Sequence, residues 1–540
     1  MSLLNINGLN VSIDETPILN SVSMELNAGE ILGLAGESGS GKTMTALAIA
    51  GLLPARARMS GEIIFDGVHL SAASESEFCN MRGQDIGVVF QEPMTALNPV
   101  MTIGQQVAET VRIHRNVSRA EALALARETL VKVGLPEARF PLDRYPHNLS
   151  GGQRQRVAIA IAIALKPKLL IADEPTTALD VTTQAEILAL FRQLVRDDGI
   201  GLILVTHDLA VIAQTAQRVV VMQAGEIIDQ GSVTKVFQAS QQPYVKTLLK
   251  NAVHIPQRNT SREVGPTPVL ETRNIVREYP GARKLFGKGA PVRAVDDVSL
   301  QIFANENVGL VGESGCGKST LLRTILGLDR ARSGEVRVFG EKFPAYRRED
   351  MRQLRQRIQV VFQDPFGTFD PRWRVEQLIA ESFHLFDSPP SGADARRRVH
   401  EILDRVGMNS SVAKQFPHEF SGGQRQRIAI ARALITEPAI IALDEAVSAL
   451  DVSIRAQILD LLAELSDRLG VSYLFVTHDL SVVRSITDRV LVMKQGRIVE
   501  QGRTEDVFSN PEHPYTVELL AAVPDLESVL SGARAESTSP

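Results

Sequence analysis

Two octapeptides carry a lysine behind a run of glycines: GESGSGKT at Gly36–Thr43 and GESGCGKS at Gly312–Ser319. Each follows a short apolar run and precedes a helical pattern. Strand, glycine loop and helix start together make a phosphate cradle. Gly36, Ser38, Gly39 and Gly41 let backbone N–H groups turn inward on phosphate oxygens, and the helix start adds its positive end. Lys42 would reach the β- and γ-phosphates, and Thr43 would ligate Mg²⁺. Gly312, Ser314, Gly315, Gly317, Lys318 and Ser319, with Thr320 beside them, would repeat those roles. A chance glycine-rich turn could explain one such match, but not two in matched context.

LLIADE and IIALDE each end an apolar run in an acidic pair. Burying carboxylates is expensive unless something pairs with them. Asp173 and Asp444 suit the Mg²⁺ side, while Glu174 and Glu445 suit bases that polarise an attacking water. Gln91 and Gln363 follow the apolar VVF. His207 and His478 follow LILVT and YLFVT. All four would stand near the carboxyl edge of a sheet, where open α/β sheets bind ligands. One histidine in such a place is more often structural; the matched pairs reverse that weighting.

The elements that must position these groups are legible as a repeat. SGGQRQR occurs at Ser150–Arg156 and again at Ser421–Arg427, and LVTHDL at Leu204–Leu209 matches FVTHDL at Phe475–Leu480. The order of all motifs is the same in both halves, so the chain is a tandem duplication. Residues 1–252 form the first domain with a C-terminal extension, and residues 270–526 the second with its own. Residues 253–269 between them are polar and proline-containing and read as a linker. Residues 527–540 read as a disordered tail. Short apolar runs predict buried strands of a mixed, mainly parallel sheet, and helical patterns at Ala120–Gly134 and Gln184–Asp197 alternate with them. The fold class is therefore α/β, twice over.

Composition narrows the function. The net charge of −5 over 540 residues argues against bulk electrostatic binding of nucleic acid. Two cysteines, Cys79 and Cys316, can build neither a disulfide framework nor a four-cysteine iron–sulfur cluster. The longest apolar run, Val157–Leu165, is far short of the ~20 residues that cross a bilayer. The first residues show no signal-peptide pattern. A membrane role would have to be peripheral.

In sequence order the set is P-loop, Gln after a strand, SGGQ, a strand ending Asp-Glu, ALD, and a strand followed by His. This resembles the nucleotide-binding domain of ABC ATPases, in two copies over nearly the whole chain. The resemblance implies ATP and Mg²⁺ as cofactors and two P-loop domains packed head to tail, each with a helical subdomain. Each ATP would lie between the P-loop of one half and the SGGQ signature of the other. Ser421, Gly422, Gly423 and Gln424 would complete the site begun by Gly36–Thr43. Ser150, Gly151, Gly152 and Gln153 would complete the one begun by Gly312–Ser319. The signature glycines would allow close backbone approach to the γ-phosphate, which the serine hydroxyl would bond.

The resemblance further makes Gln91 and Gln363 the Q-loop residues, facing Mg²⁺ and the transport subunits. His207 and His478 become the switch histidines holding the γ-phosphate, and Asp180 and Asp451 the D-loop acids. No Glu or His of this set is replaced, so two hydrolytic sites are expected. Tyr279 stands where the family places an aromatic under adenine, with the insertion GARKLFGKGA after it; the aligned residue in the first half is Ile13. The first site is therefore expected to bind ATP more weakly. Phe420 for Leu before SGGQ and Ala446 in the place of Pro175 are mild departures. Cys316 replaces Ser40 inside the second P-loop; it would either be an alkylation target that ATP protects or be shielded and inert.

The extensions QQPYVKTLLKNA and EHPYTVELLAAVP, with EPMTALNP at Glu92–Pro99, look like those of oligopeptide and dipeptide importer ATPases. Fused pairs occur among ATPases of the glutathione and microcin C importer types, and length and linker look closest to the latter. The implied partners are two integral membrane permease subunits and, through them, an extracytoplasmic peptide-binding protein. The implied place is the cytoplasmic face of a bacterial inner membrane. The alternative is a soluble tandem ABC ATPase acting on ribosomes or nucleic acid. A long charged helical linker and often a basic extension would be expected for that; here the linker is short and proline-containing, and the net charge is negative.

Overall fold

The computed structural model describes residues 2–90, 96–177, 179–258, 264–281, 290–342, 348–448 and 450–531. Gln91 lies outside the described residues. Each half is built on a six-stranded sheet. In the first the spatial order is Glu226–Ser232, Arg218–Gln223, Ile31–Ala35, Gly201–Val205, Leu169–Asp173 and Ile86–Val89. All neighbours are parallel except the hairpin Arg218–Gln223 with Glu226–Ser232. In the second half the same sheet reads Ile358–Val361, Ile440–Asp444, Ser472–Val476, Asn307–Val311, Arg489–Lys494 and Arg497–Arg503. The central strands ILGLA and GLILV are buried at every residue. Continuous apolar runs of this kind suit parallel strands covered on both faces.

This order decides where chemistry can occur. Ile31–Ala35, Gly201–Val205 and Leu169–Asp173 are adjacent and parallel, so the segments leaving their carboxyl ends converge. Those segments are the P-loop, the His207 turn and the Asp173–Glu174 pair. A second, antiparallel sheet joins Ser2–Ile13 to Thr16–Asn27 and Ala57–Phe65. Its counterpart joins Pro268–Tyr279 to Val292–Phe303 and Ser333–Val338. Ile13 and Tyr279 occupy the same last rung, opposite Thr16 and Val292.

A helical lobe completes each half. In the first, Ile103–His114 and Arg119–Lys132 start at capping boxes built on Thr102 and Ser118 and pack with Gly151–Ile163. Their apolar faces form one core with the sheet side of Val181–Asp198.

The halves touch through more than the linker. The helix Pro243–Ala252 packs on Val452–Leu469 of the second half, where Asn251 Nδ2 donates to Ser453 Oγ at 2.9 Å. Within the expected linker, His254 Nε2 pairs with Asp460 at 2.7 Å, and Arg258 bonds the Ile486 carbonyl and Asp488. One boundary needs correction. The expected disordered tail begins too early. Leu526–Leu530 is a helix capped by the Asp525 side chain, with Leu526 and Val529 buried in an apolar cluster of the first half. That contact supplies the order that the polar composition hides. Residues 532–540 lie outside the described residues.

Candidate functional site

The P-loop glycines have conformations that few other residues adopt. Gly36, Gly39 and Gly41 have φ of 143°, 78° and 104°. A Cβ at Gly36 would stand 2.3 Å from the Met222 carbonyl oxygen, and one at Gly312 would stand 2.2 Å from that of Met493. Backbone cannot yield as a side chain can, so both positions need glycine. Lys42 Nζ donates to the carbonyls of Gly36 and Glu37, both at 2.8 Å; Lys318 Nζ meets those of Gly312 and Glu313 at 2.6 and 2.9 Å. Both ammonium groups thus stand inside their own loops. Burial pulls the Lys42 pKa down, against the pull of Glu174, Asp451 and Asp173.

The acidic pairs stand where the strands Leu169–Asp173 and Ile440–Asp444 end. Thr43 Oγ1 stands 3.4 Å from Asp173 Oδ1. Burial raises the pKa of Asp173. Burial first, then the charge of Glu445, raises that of Asp444 from 3.8 to about 6, against Lys318. Asp444 Oδ1 is buried with no hydrogen-bond partner. An orphaned carboxylate oxygen in a site that also carries Ser319, and a hydroxyl–carboxylate pair at Thr43 and Asp173, are hard oxygen donors of the kind Mg²⁺ takes. The residues fit that ion.

A pH prediction follows for the protein without Mg²⁺. The native Asp444 carboxyl holds its proton more tightly than the unfolded chain does. Its contribution to stability is present below about pH 4 and is lost as pH rises through about 6. Asp444→Asn cannot ionise, so its melting temperature should gain on the parent's across that window. Adding Mg²⁺ should narrow the gap by stabilising the parent. A gap that is constant with pH would discard the assignment.

Glu174 and Glu445 each carry two features. His207 Nδ1 lies 3.1 Å from Glu174 Oε1, and His478 Nδ1 lies 3.1 Å from Glu445 Oε1. Burial pushes the Glu174 pKa up, but the His207 hydrogen bond and charge, Thr177 and Lys42 outweigh it, and the net shift is downward. Glu445 is lowered too, with His478 and Lys318 overcoming burial. Both are therefore carboxylates at neutral pH. Both also have positive φ, 46° and 49°, and donate their N–H to the carbonyl of Val205 or Val476. Strain at a non-glycine residue persists only where its surroundings hold it. No sequence signal reveals that conformation.

SGGQ proves to be a helix start. Ser150 Oγ accepts from Gln153 N, while Gln153 Oε1 accepts from Ser150 N; Ser421 and Gln424 repeat this capping box. The glutamine side chain is thereby committed to its own helix. The two glycines also differ. A Cβ at Gly152 would stand 2.2 Å from Thr183 Cγ2, and one at Gly423 would stand 2.5 Å from Ile454 Cγ2. Those glycines serve packing within their own half. Gly151 and Gly422 have nothing nearer than 3.8 and 4.0 Å, so the open approach belongs to them.

The halves meet at the P-loops. Asp451 Oδ1 accepts from Ser38 N at 2.7 Å and from Ser38 Oγ at 2.8 Å. Asp180 Oδ2 accepts from Ser314 N at 3.3 Å, while its Oδ1 caps the helix Val181–Asp198 through Thr183 N. Each D-loop acid thus reaches the opposite half's P-loop, and the contact at Ser38 is the closer one.

The remaining expectations divide. Gln363 is exposed in a bend after Ile358–Val361 and is not brought to Asp444 by any hydrogen bond. Tyr279 donates its hydroxyl to Asp329 at 3.0 Å and carries the Arg277 guanidinium 4.4 Å above its ring. At the corresponding places in the first half stand Ile13 and Leu53, neither of which offers an aromatic face or an acceptor. Ile13→Tyr should raise nucleotide affinity of the first site about fivefold, the equivalent of roughly 1 kcal/mol for an aromatic stack. Equal affinities in direct titration would discard the adenine assignment. Cys316 is buried, its thiol pKa raised by that burial against the pull of Lys318, and it fits the shielded alternative. Two residues escaped the sequence reading: Tyr244 and Tyr515 accept from the backbone N–H groups of Glu37 and Glu313.

The family model described as ABC transporter matches residues 19–177 and 295–448. The model described as oligopeptide/dipeptide transporter, C-terminal region, matches residues 499–539. The glutathione import ATP-binding protein GsiA of Salmonella choleraesuis (strain SC-B67) is 43% identical over 97% of this chain and 89% of its own length. The proteins of that name from Shigella sonnei (strain Ss046) and Escherichia coli (strain K12) are 44% and 43% identical, each over 97% of this chain and 90% of their own.

Proposed function

The chain belongs to the ABC transporter family, and on that premise we propose that it is the ATP-hydrolysing subunit of an importer for short peptides, glutathione-like tripeptides included. The observation that carries this reading is the contact of each half with the other's P-loop, through Ser38–Asp451 and Ser314–Asp180. The names of the relatives and the matched C-terminal region supply the substrate class. They favour import over work on ribosomes or nucleic acid.

In this reading the first site is lined by Gly36–Thr43, Asp173, Glu174 and His207, with Ser421 and Gly422 arriving from the second half. The second site uses Gly312–Ser319, Asp444, Glu445 and His478, with Ser150 and Gly151 arriving from the first. Thr43 with Asp173, and Ser319 with Asp444, would hold Mg²⁺, which would supply screening of the phosphate charge. Glu174 and Glu445 accept a proton from the attacking water as general bases. His207 and His478, bonded to those carboxylates through Nδ1, would reach the γ-phosphate with the other ring nitrogen. Gln91 and Gln363 face the permeases.

No helix among the described residues is long and apolar enough to cross a membrane. We place the chain on the cytoplasmic face of a bacterial inner membrane, beneath two integral permeases served by an extracytoplasmic peptide-binding protein. The test is a tagged pull-down from gently solubilised native membranes, read by mass spectrometry. Two peptide-importer permeases support the reading. Ribosomal proteins or nucleic acid, with the chain absent from membranes, overturn it.

A further inference from the structure

The Pro-Tyr motif of the two extensions marks a family in the sequence, and the fold gives it a place at the ATP sites. Pro243 and Pro514 occupy the first turn of the helices Pro243–Ala252 and Pro514–Ala521. In the second extension His513 Nδ1 accepts from Tyr515 N at 3.1 Å, while His513 N donates to Glu500 at 3.1 Å. The start of that helix, and with it the tyrosine, is thereby fixed. Tyr515 is only 2% exposed, and Lys494 Nζ sits 4.3 Å from its ring centre.

Both tyrosines reach the same point of the P-loop. Tyr244 Oη accepts from Glu37 N at 3.3 Å, and Tyr515 Oη accepts from Glu313 N at 3.0 Å. These glutamates are the second residue of each GESG. Their carbonyls hold Lys42 Nζ and Lys318 Nζ. The next N–H along, of Ser38 or Ser314, goes to the aspartate of the opposite half. Two consecutive P-loop amides are thus held from two sides.

Each extension also touches the element that carries that aspartate. The helix Pro243–Ala252 packs on Val452–Leu469, which begins immediately after Asp451, and bonds it through Asn251 and Ser453. Tyr515 and Leu519 share an apolar cluster with Val181, which follows Asp180. One helix therefore contacts its own P-loop and the opposite half's D-loop helix together.

We propose that Tyr244 and Tyr515 are positioning residues for ATP binding: each holds its own P-loop in register with the aspartate presented by the opposite half. The proposal does not depend on what is imported. An extension of this kind passes any displacement of the D-loop helix to the phosphate loop through one side chain.

The test uses the full chain with Tyr244→Phe or Tyr515→Phe, which keep the ring and remove the acceptor. Amide hydrogen exchange without nucleotide should quicken in the P-loop peptide of the altered half and stay unchanged in the other. Each variant is also read with the other half's base changed, Tyr244→Phe with Glu445→Gln and Tyr515→Phe with Glu174→Gln. There KM for ATP should rise about fivefold, the equivalent of one hydrogen bond, and rise more than kcat falls. Unchanged exchange in both loops overturns the proposal. Faster exchange with unchanged KM also overturns it, since the contact would then be real without positioning anything. If the buried Tyr515→Phe fails to fold, the half-exposed Tyr244→Phe decides alone.

Discussion

Changing both Glu174 and Glu445 to glutamine should lower ATP turnover by ~10²–10⁴-fold, the range for removing a general base. The measurement is phosphate release at saturating ATP and Mg²⁺. Glutamine keeps the shape and a hydrogen bond to His207 or His478, so the loss isolates the charge. Both carboxyls lie below their ordinary value of 4.5 because their histidines, among other partners, outweigh burial. The parent therefore keeps both bases ionised through the neutral range, and raising the pH should not rescue the variant. Each single variant keeps one carboxylate and should retain measurable turnover. Unchanged activity in the double variant would remove the glutamates from the reaction.

The second large effect separates the two signature glycines. Gly152→Ala would press a methyl group against Thr183 Cγ2. A threonine on a helix has little room to yield, so the variant should lose about 1–3 kcal/mol of stability by overpacking. Gly151→Ala meets no atom within 3.8 Å and should melt as the parent does. The second site's share of turnover should nevertheless fall about 10²-fold, because the added methyl stands where that site's γ-phosphate must approach the helix start. The assignment of halves can be read directly. With Glu174→Gln, where only Glu445 works, Gly151→Ala should remove the remaining activity. With Glu445→Gln it should change little. The reverse pattern would mean that each signature serves its own half's P-loop.

Much of the site was legible because it is written twice. Lys42 and Lys318, Asp173 and Asp444, and His207 and His478 follow adjacent parallel strands; the apolar runs reveal those strands, but not their order across the sheet. What stayed hidden depends on contacts distant in sequence. Nothing in SGGQ tells which glycine faces Thr183 and which faces open space. The positive φ of Glu174 accompanies a hydrogen bond to Val205, distant in sequence. The Tyr244 hydroxyl meets Glu37 across 207 residues of chain. The tail was misjudged for a related reason. Its Ser- and Ala-rich end dominates the composition, while the order of Leu526–Leu530 comes from apolar residues of the other half.

That returning helix has a consequence for inheritance. The C-terminal end of the second half is seated on the first, so the two halves are joined both by the linker and by this contact. A half then meets its own partner at an effective concentration set by a short tether instead of by expression level. Like-with-like pairing between first halves of different chains is suppressed. Differences such as Ile13 against Tyr279, or Ser40 against Cys316, are never averaged between exchanging subunits. Each copy is free to drift toward a distinct share of the cycle, and a change in one is always expressed opposite the same counterpart.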